Sequence, residues 1–241
     1  MNYKRKILVI LLLVGLMINF FPAHALFDEE NLVSRWEVNQ WNEANHVTWE
    51  WPSINFTVEI GSFINYTIST YDSANFTHPN SGIIEIGNHT TQTTNNKTGE
   101  VLALSIWGWF PGLITSSGDW ALQKQVAQDA AQGQWTKGNL EIHELTYNYT
   151  GLLRQAINFS YQQNSTLGNQ NTTVIYDMDT GVLLEGFTEI QFTEYYVLQL
   201  KLEYSDLITE SNANLTTQSI FVNLIAIVFL SLFWGLLRKK K

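Results

Sequence analysis

The chain contains no cysteine. That removes disulfide bonds, thiol nucleophiles and cysteine-held metals at once, so whatever folds here must be held by burial and hydrogen bonding. Cations are also scarce where they would matter. Of 13 lysines and arginines, Lys4, Arg5 and Lys6 stand at the start and Arg238, Lys239, Lys240 and Lys241 at the end. Between them six cations face all 22 acidic residues, a net of −16 over that part of the chain. Such a surface repels phosphate backbones, which excludes nucleic acid as a partner. Catalytic signatures are missing too. There is no G-x-S-x-G and no phosphate-binding glycine loop. His143 and Glu144 begin a zinc-type pair, but Tyr147 occupies the place of the second histidine. His46, His78 and His89 show no ligand spacing. The expectation is therefore no metal, no cofactor and no catalytic residue.

What the sequence does have is apolar runs at both ends. Ile220 to Leu237 carries no charge over 18 residues and would rise ~27 Å as a helix, near the thickness of a bilayer's hydrocarbon core. The four cations just after it belong on the cytoplasmic side, which puts everything before the span outside. At the other end, three cations precede the apolar run Ile7 to Phe21, and Ala23, His24, Ala25 form a small-x-small cleavage pattern. The division this predicts is a signal peptide over 1–25 and an extracellular domain over 26–207. A polar stalk over 208–218, a transmembrane helix over 219–237 and a cytoplasmic tail over 238–241 complete it. The result is a type I single-pass protein of the cell membrane.

Ten N-x-S/T acceptors lie in the external part: Asn55, Asn65, Asn75, Asn88, Asn96, Asn148, Asn158, Asn164, Asn171 and Asn214. Chance would supply roughly three or four at this composition, so the excess points to N-glycosylation. Several have an aromatic at the centre, as in NFT at Asn55 and Asn75 and NYT at Asn65 and Asn148. In a strand the asparagine and the hydroxyl residue then face solvent together while the aromatic turns inward. The absence of cysteine and the wealth of acceptors together suggest a prokaryotic, especially archaeal, cell surface.

Alternation of apolar and polar residues predicts mostly strands. Ile54, Phe56, Val58 and Ile60 make one inward row and Ile64, Tyr66 and Ile68 a second, with a turn or bulge at Gly61. Val47, Trp49 and Trp51 read as a strand, residues before them are ambiguous, and Ile83 to Ile86 make a short strand. Ser116, three before Asp119, opens a helix with Leu122, Val126 and Ala130 on one face and Gly133 as its stop. Leu140 and Ile142, then Leu145, Tyr147 and Tyr149, change phase near His143, which suggests a bulge. Leu153, Ile157, Phe159 and Tyr161 form another inward row, Thr172 to Tyr176 a strand, and Tyr196, Leu198, Leu200, Leu202 and Tyr204 close the sheet. The predicted class is mainly β: a curved antiparallel sheet packed over one helix, plus the C-terminal transmembrane helix. A β-sandwich is the alternative.

Two local features invite a functional reading. VIYDMDTGVL, from Val174 to Leu183, is similar to the nucleophile motif of the haloacid dehalogenase phosphatases, but Gly181 stands in its fifth place and no alternating strands and helices follow. Asp177 opening a turn and Gly181 supplying a left-handed residue make a hairpin the better reading. Asp177 and Asp179 match a calcium loop, but Val182 and Thr188 replace its glycine and glutamate. The other feature is IWGWF beside a Pro-Gly turn, where Trp107, Trp109, Phe110 and Leu113 are candidates for a ligand or membrane contact. Core filling is the competing role for these tryptophans, and the weightier one. The whole layout resembles archaeal single-pass cell-surface proteins, which implies a surface role without a particular activity. The order of sheet and helix is also similar to LolA-type lipoprotein carriers, which implies a half-barrel able to hold an acyl chain. Three functions follow as expectations. The first is a non-catalytic surface module that binds, adheres or builds, with a glycan, lipid or surface protein as ligand. The second is a carrier with an apolar pocket under the sheet, and the third a hydrolase with paired carboxylates.

Overall fold

A computed structural model describes residues 31–42, 59–77, 79–87, 89–94, 102, 104, 109, 111–133, 137–165, 168–191 and 195–208. The expected signal, span, basic tail, the strand at 47–51 and the inward row up to Val58 lie outside the described residues. Among those described, no helix is long and apolar enough to cross a membrane.

Among the described residues, nine strands form a single antiparallel sheet. Their ranges are β1 Leu32–Trp41, β2 Phe63–Tyr71, β3 Asn80–Ile86 and β4 His89–Thr94, then β5 Asn139–Tyr149, β6 Leu152–Ser165, β7 Gly168–Asp177, β8 Leu183–Gln191 and β9 Tyr195–Ser205. The spatial order is β4-β3-β2-β1-β9-β8-β7-β6-β5. Two meanders are thus sewn together where the first strand meets the last. Since β4 and β5 end up at opposite edges, eight strand spacings or ~38 Å apart, the chain between them must travel the width of the sheet. It does so across one face. Leu102, Leu104, Trp109, residues 111–119 and the helix α1, Trp120–Ala131, are the described parts of that traverse.

The face they cover is the hydrophobic one. Trp36 and Val38 on β1, Ile64, Tyr66 and Ile68 on β2, Phe159 and Tyr161 on β6, and Leu198 and Leu200 on β9 are all fully or almost fully buried. Leu102, Leu104, Trp109, Leu113 and Ile114 from the crossing segment fill the space against them. The segment is also pinned by hydrogen bonds. The Tyr196 hydroxyl donates to the Leu102 carbonyl at 2.9 Å and the Tyr176 hydroxyl to that of Gly112 at 2.7 Å. Ile114 pairs with Val182 like a strand residue, and the Asn80 amide donates to its carbonyl at 2.8 Å.

The helix is capped by Asp119, which accepts from the Leu122 amide at 2.9 Å, and not opened by Ser116, whose hydroxyl donates to the Ser73 carbonyl instead. Val126 and Ala130 of the expected face pack against the core, but the fully buried residues are Gln123, Ala127 and Ala131, and Leu122 is 38% exposed. Gln123 wins the inward place because it satisfies three partners there. It accepts from the Trp109 indole at 3.1 Å and donates to the Thr115 hydroxyl at 2.8 Å and the Ser116 carbonyl at 3.0 Å. Trp120 stacks near Phe159 and Tyr176, with centroids 6.5 and 6.4 Å away.

Other expectations need correcting. β5 pairs with β6 without a register break, so there is no bulge at His143. The phase change is real but has another cause: Leu140 and Ile142 pack toward the helix, while Tyr147 and Tyr149 serve the opposite face. There the Tyr147 hydroxyl reaches Glu185 on β8 at 3.3 Å and the Tyr149 hydroxyl the Glu203 carbonyl on β9 at 3.1 Å. In a flat sheet β5 and β8 would lie ~14 Å apart, so the sheet curls at this end and the β5–β6 turn folds over its back. Tyr204 is exposed rather than inward, because a register shift between β1 and β9 hands the inner place to Ser205. Ile60 sits in the turn before Gly61 and Leu153 just after the β5–β6 turn; both are largely exposed, beyond the part of the sheet that the crossing segment covers. Ile208, taken as the first stalk residue, is buried beside Leu207, and the Val33 amide donates to Asp206 at 2.7 Å.

Candidate functional site

The expected contact patch divides. Trp109 and Leu113 are core residues, 4% and 0% exposed, so neither is available to a ligand or a membrane; Trp107 and Phe110 lie outside the described residues. Trp109 packs on Phe159 with centroids 4.6 Å apart. Among the acceptor asparagines, Asn75, Asn148 and Asn164 are exposed, while Asn65, Asn158 and Asn171 are partly buried. Asn65 is engaged on both sides, accepting from Arg35 at 3.0 Å and donating to Glu85 at 3.3 Å. Asn55, Asn88, Asn96 and Asn214 lie outside the described residues.

The Asp177 turn is the hairpin that its residues suggest. Gly181 has φ of +73°, and a Cβ there would stand 1.9 Å from the Thr115 carbonyl oxygen. The Asp177 carboxylate is turned wholly to structural work. Its Oδ1 accepts from the amides of Asp179 and Thr180 at 3.1 and 2.8 Å and from the Thr180 hydroxyl at 2.8 Å. Its other partner was not foreseen. Arg154 on β6 is buried and grips Asp177 through Nε at 2.6 Å and Nη2 at 3.0 Å, with Asp179 3.2 Å from the same Nη2. Burial pulls the guanidinium's pKa down, but the hydrogen bonds and charge of Asp177, with the charge of Asp179, outweigh it and leave it raised. Burial is also the main reason the Asp179 carboxyl sits above its ordinary value, with Asp177 adding to the rise and Arg154 opposing it. A fully buried carboxylate with both oxygens engaged offers no nucleophile. Among the described residues, no three His, Asp or Glu side chains converge as a metal site.

The feature open to solvent lies at the other end of β5 to β8, on the back face. Register puts Asn139, Gln162, Asn171 and Glu189 side by side across four strands. Asn164, Asn169 and Gln191 form a second row beside them. Together with Gln163 and Gln170 they line a cleft of about 440 Å³. The side chains that alternate with these rows point to the inner face and are tied down there: the Tyr161 hydroxyl donates to Gln163 at 3.0 Å, and Gln170 donates to Thr172 at 2.8 Å, which meets Thr188 at 2.8 Å. At the end of the second row Tyr195 pairs with Gln191, and its hydroxyl donates to Glu189 at 3.0 Å. Eight amides and one carboxylate line this cleft, and no cation is among them. Chemically it presents amide donors and acceptors, with one carboxylate, at strand spacing. Sequence reasoning missed it, although the signal was present as Gln162/Asn164, Asn169/Asn171 and Glu189/Gln191 at strand spacing. Of these six, Asn164 and Asn171 read only as glycosylation acceptors, and the other four match no motif.

Comparisons with protein-family models, curated proteins and solved structures find no match for the chain. The reading of function therefore rests on residues and geometry.

Proposed function

We propose that the chain is a membrane-anchored, N-glycosylated extracellular domain with a binding, adhesion or surface-building role and no catalysis. The observation that carries this choice over the carrier is the filled inner face. A carrier needs a continuous apolar cavity of ~300 Å³ or more. Where such a cavity would lie, Leu102, Leu104, Trp109 and Leu113 of the chain itself are packed against the sheet. The hydrolase reading loses support from the cleft. Glycoside hydrolysis uses two carboxyl groups flanking the bond, and the cleft's lining supplies one, Glu189. What remains for partners is the outer surface, which is acidic, bears exposed acceptor asparagines and holds a polar cleft. The apolar run before the basic tail supports the single span, and the cations at 238–241 its orientation.

Protease added to intact cells tests the topology. With a tag fused after Lys241, the bulk of the chain should be digested while the tag survives, and a glycosidase should raise its gel mobility. A digested tag with an intact bulk would overturn the reading.

A further inference from the structure

We infer that the amide cleft is a binding site for a neutral oligosaccharide. The inference rests on the surface-binding reading above and gives it a ligand class. Each asparagine or glutamine offers a carbonyl acceptor and two N–H donors, which is the complement of a sugar hydroxyl that both gives and takes a hydrogen bond. A single such bond is worth only ~1 kcal/mol net, so recognition needs several made at once by groups already in place. The cleft provides them. Asn139, Gln162, Asn171 and Glu189 stand in one row across four strands, a span of ~14 Å that suits an extended chain of hydroxyls rather than a single small molecule.

The rows stand on paired strands whose backbone register sets the spacing of the amides before anything binds. The volume of about 440 Å³ lies in the range of ligand sites. With Glu189 and no cation in the lining, on a domain with a large negative net charge, anionic chains are disfavoured. Asn164 and Asn171, both acceptor positions, stand inside the cleft. The same sugar chemistry can therefore come from a free surface polysaccharide or from the chain's own N-linked glycan.

The test uses the full chain in a detergent without a sugar headgroup, made with and without N-glycosylation. Neutral α- and β-linked glucose tetrasaccharides are titrated in, with a uronic-acid tetramer as the anionic probe, and side-chain amide NMR shifts are followed. The unglycosylated chain is expected to bind a neutral tetrasaccharide, shifting the amides of Gln162 and Asn169, and to prefer it to the uronic acid. Gln162→Ala with Asn169→Ala should weaken binding at least ~10-fold, and Gln191→Ala provides a second, independent variant. All three side chains are exposed, so folding is not at stake. If the glycosylated chain binds equally well, the ligand is a free polysaccharide. If it binds only after its glycans are removed, the occupant is the chain's own glycan.

The inference is overturned if no neutral tetrasaccharide shifts the amides up to its solubility limit, if the variants bind like the parent, or if the uronic acid binds better. None of these outcomes bears on the protease experiment, so the cleft and the topology fail separately.

Discussion

Replacing Arg154 with methionine should be among the most damaging single changes on the back of the sheet. The side chain is 1% exposed and its partner Asp177 0%, with contacts of 2.6 and 3.0 Å. Removing the cation leaves a carboxylate in a dry site whose only remaining partners are two amides and one hydroxyl of its own turn. Unpartnered buried charge of this kind costs ~3–5 kcal/mol, against a total stability of ~5–15 kcal/mol for a domain. For a domain near this size that is a fall in Tm of about 10 °C. Asp177→Asn should cost a similar amount, because it strands the guanidinium with only Asp179. The pair replaced together, Arg154→Met with Asp177→Asn, restores neutrality, and the asparagine Oδ1 can still accept from the turn. The double variant is therefore expected to be more stable than either single one, with a coupling of at least ~2 kcal/mol. Urea unfolding followed by tryptophan fluorescence measures all four forms. If the two single losses simply add, the pair is not a coupled buried ion pair and the reasoning is wrong.

Three further outcomes follow from the same geometry. Gly181→Ala must place a Cβ 1.9 Å from the Thr115 carbonyl at φ of +73°, so it should cost well over ~1 kcal/mol and pull the crossing segment off β8; a fall in Tm of only a degree would refute this. Asp179 has a raised folded pKa, so it binds its proton more tightly folded than unfolded. Its contribution to stability is full below its ordinary 3.8 and is lost as pH rises through the raised value. Relative to Asp179→Asn, the parent should therefore lose Tm as pH climbs from 3.8 toward neutrality, and a relative gain would reverse the argument. Burial pushes the Tyr71 and Tyr161 phenols up to about 12, and raises Tyr66, Tyr176 and Tyr196 as well. Their share of stability is full below pH 10 and lost above it. Absorbance at 295 nm should show these phenols ionising together with unfolding at alkaline pH, and independent ionisation of a still-folded chain would count against it.

Much of the sheet was legible because one rule, strict alternation, governs a strand with one wet face. It located the inward row on β2 and, apart from Leu153 and Tyr204, those on β6 and β9, while turn chemistry located the Asp177–Gly181 turn. It failed where a strand does two jobs. β5 packs its first half toward the helix and its second half over the back of the sheet, and a change of phase in sequence looks the same whether it comes from a bulge or a curl. It failed again at Tyr204, because a slip in pairing with β1 depends on the partner strand and leaves no mark on β9. The helix was found from its stop at Gly133, but its cap is Asp119 rather than Ser116, and its packed face is turned from the expected one: Val126 and Ala130 pack on the core as hydrophobicity suggests, whereas the Trp109 indole, the Thr115 hydroxyl and the Ser116 carbonyl draw in Gln123 in place of Leu122. Arg154 could not have been nominated from sequence, since nothing local distinguishes a cation buried 23 residues before its carboxylate from one on the surface.

The two faces of the sheet divide the problem of function between them. The inner face is spent on the chain's own passage from one edge to the other, and that passage needs Trp109, one of the residues expected at a contact surface. The back face is polar, and at one end it is closed by the fold-over of β5 and β6, where Arg154, Asp177, Tyr147 and Glu185 satisfy one another. At the other end of the same strands no cation is among the residues lining the cleft, and the side chains of Gln162, Asn169 and Gln191 are exposed to water. Hydrogen-bonding groups exposed in register on rigid strands lose little by exchanging that water for a ligand's hydroxyls. The curl that consumes polarity at one end therefore leaves it available at the other, and that asymmetry is what singles out the cleft from the rest of an otherwise acidic surface.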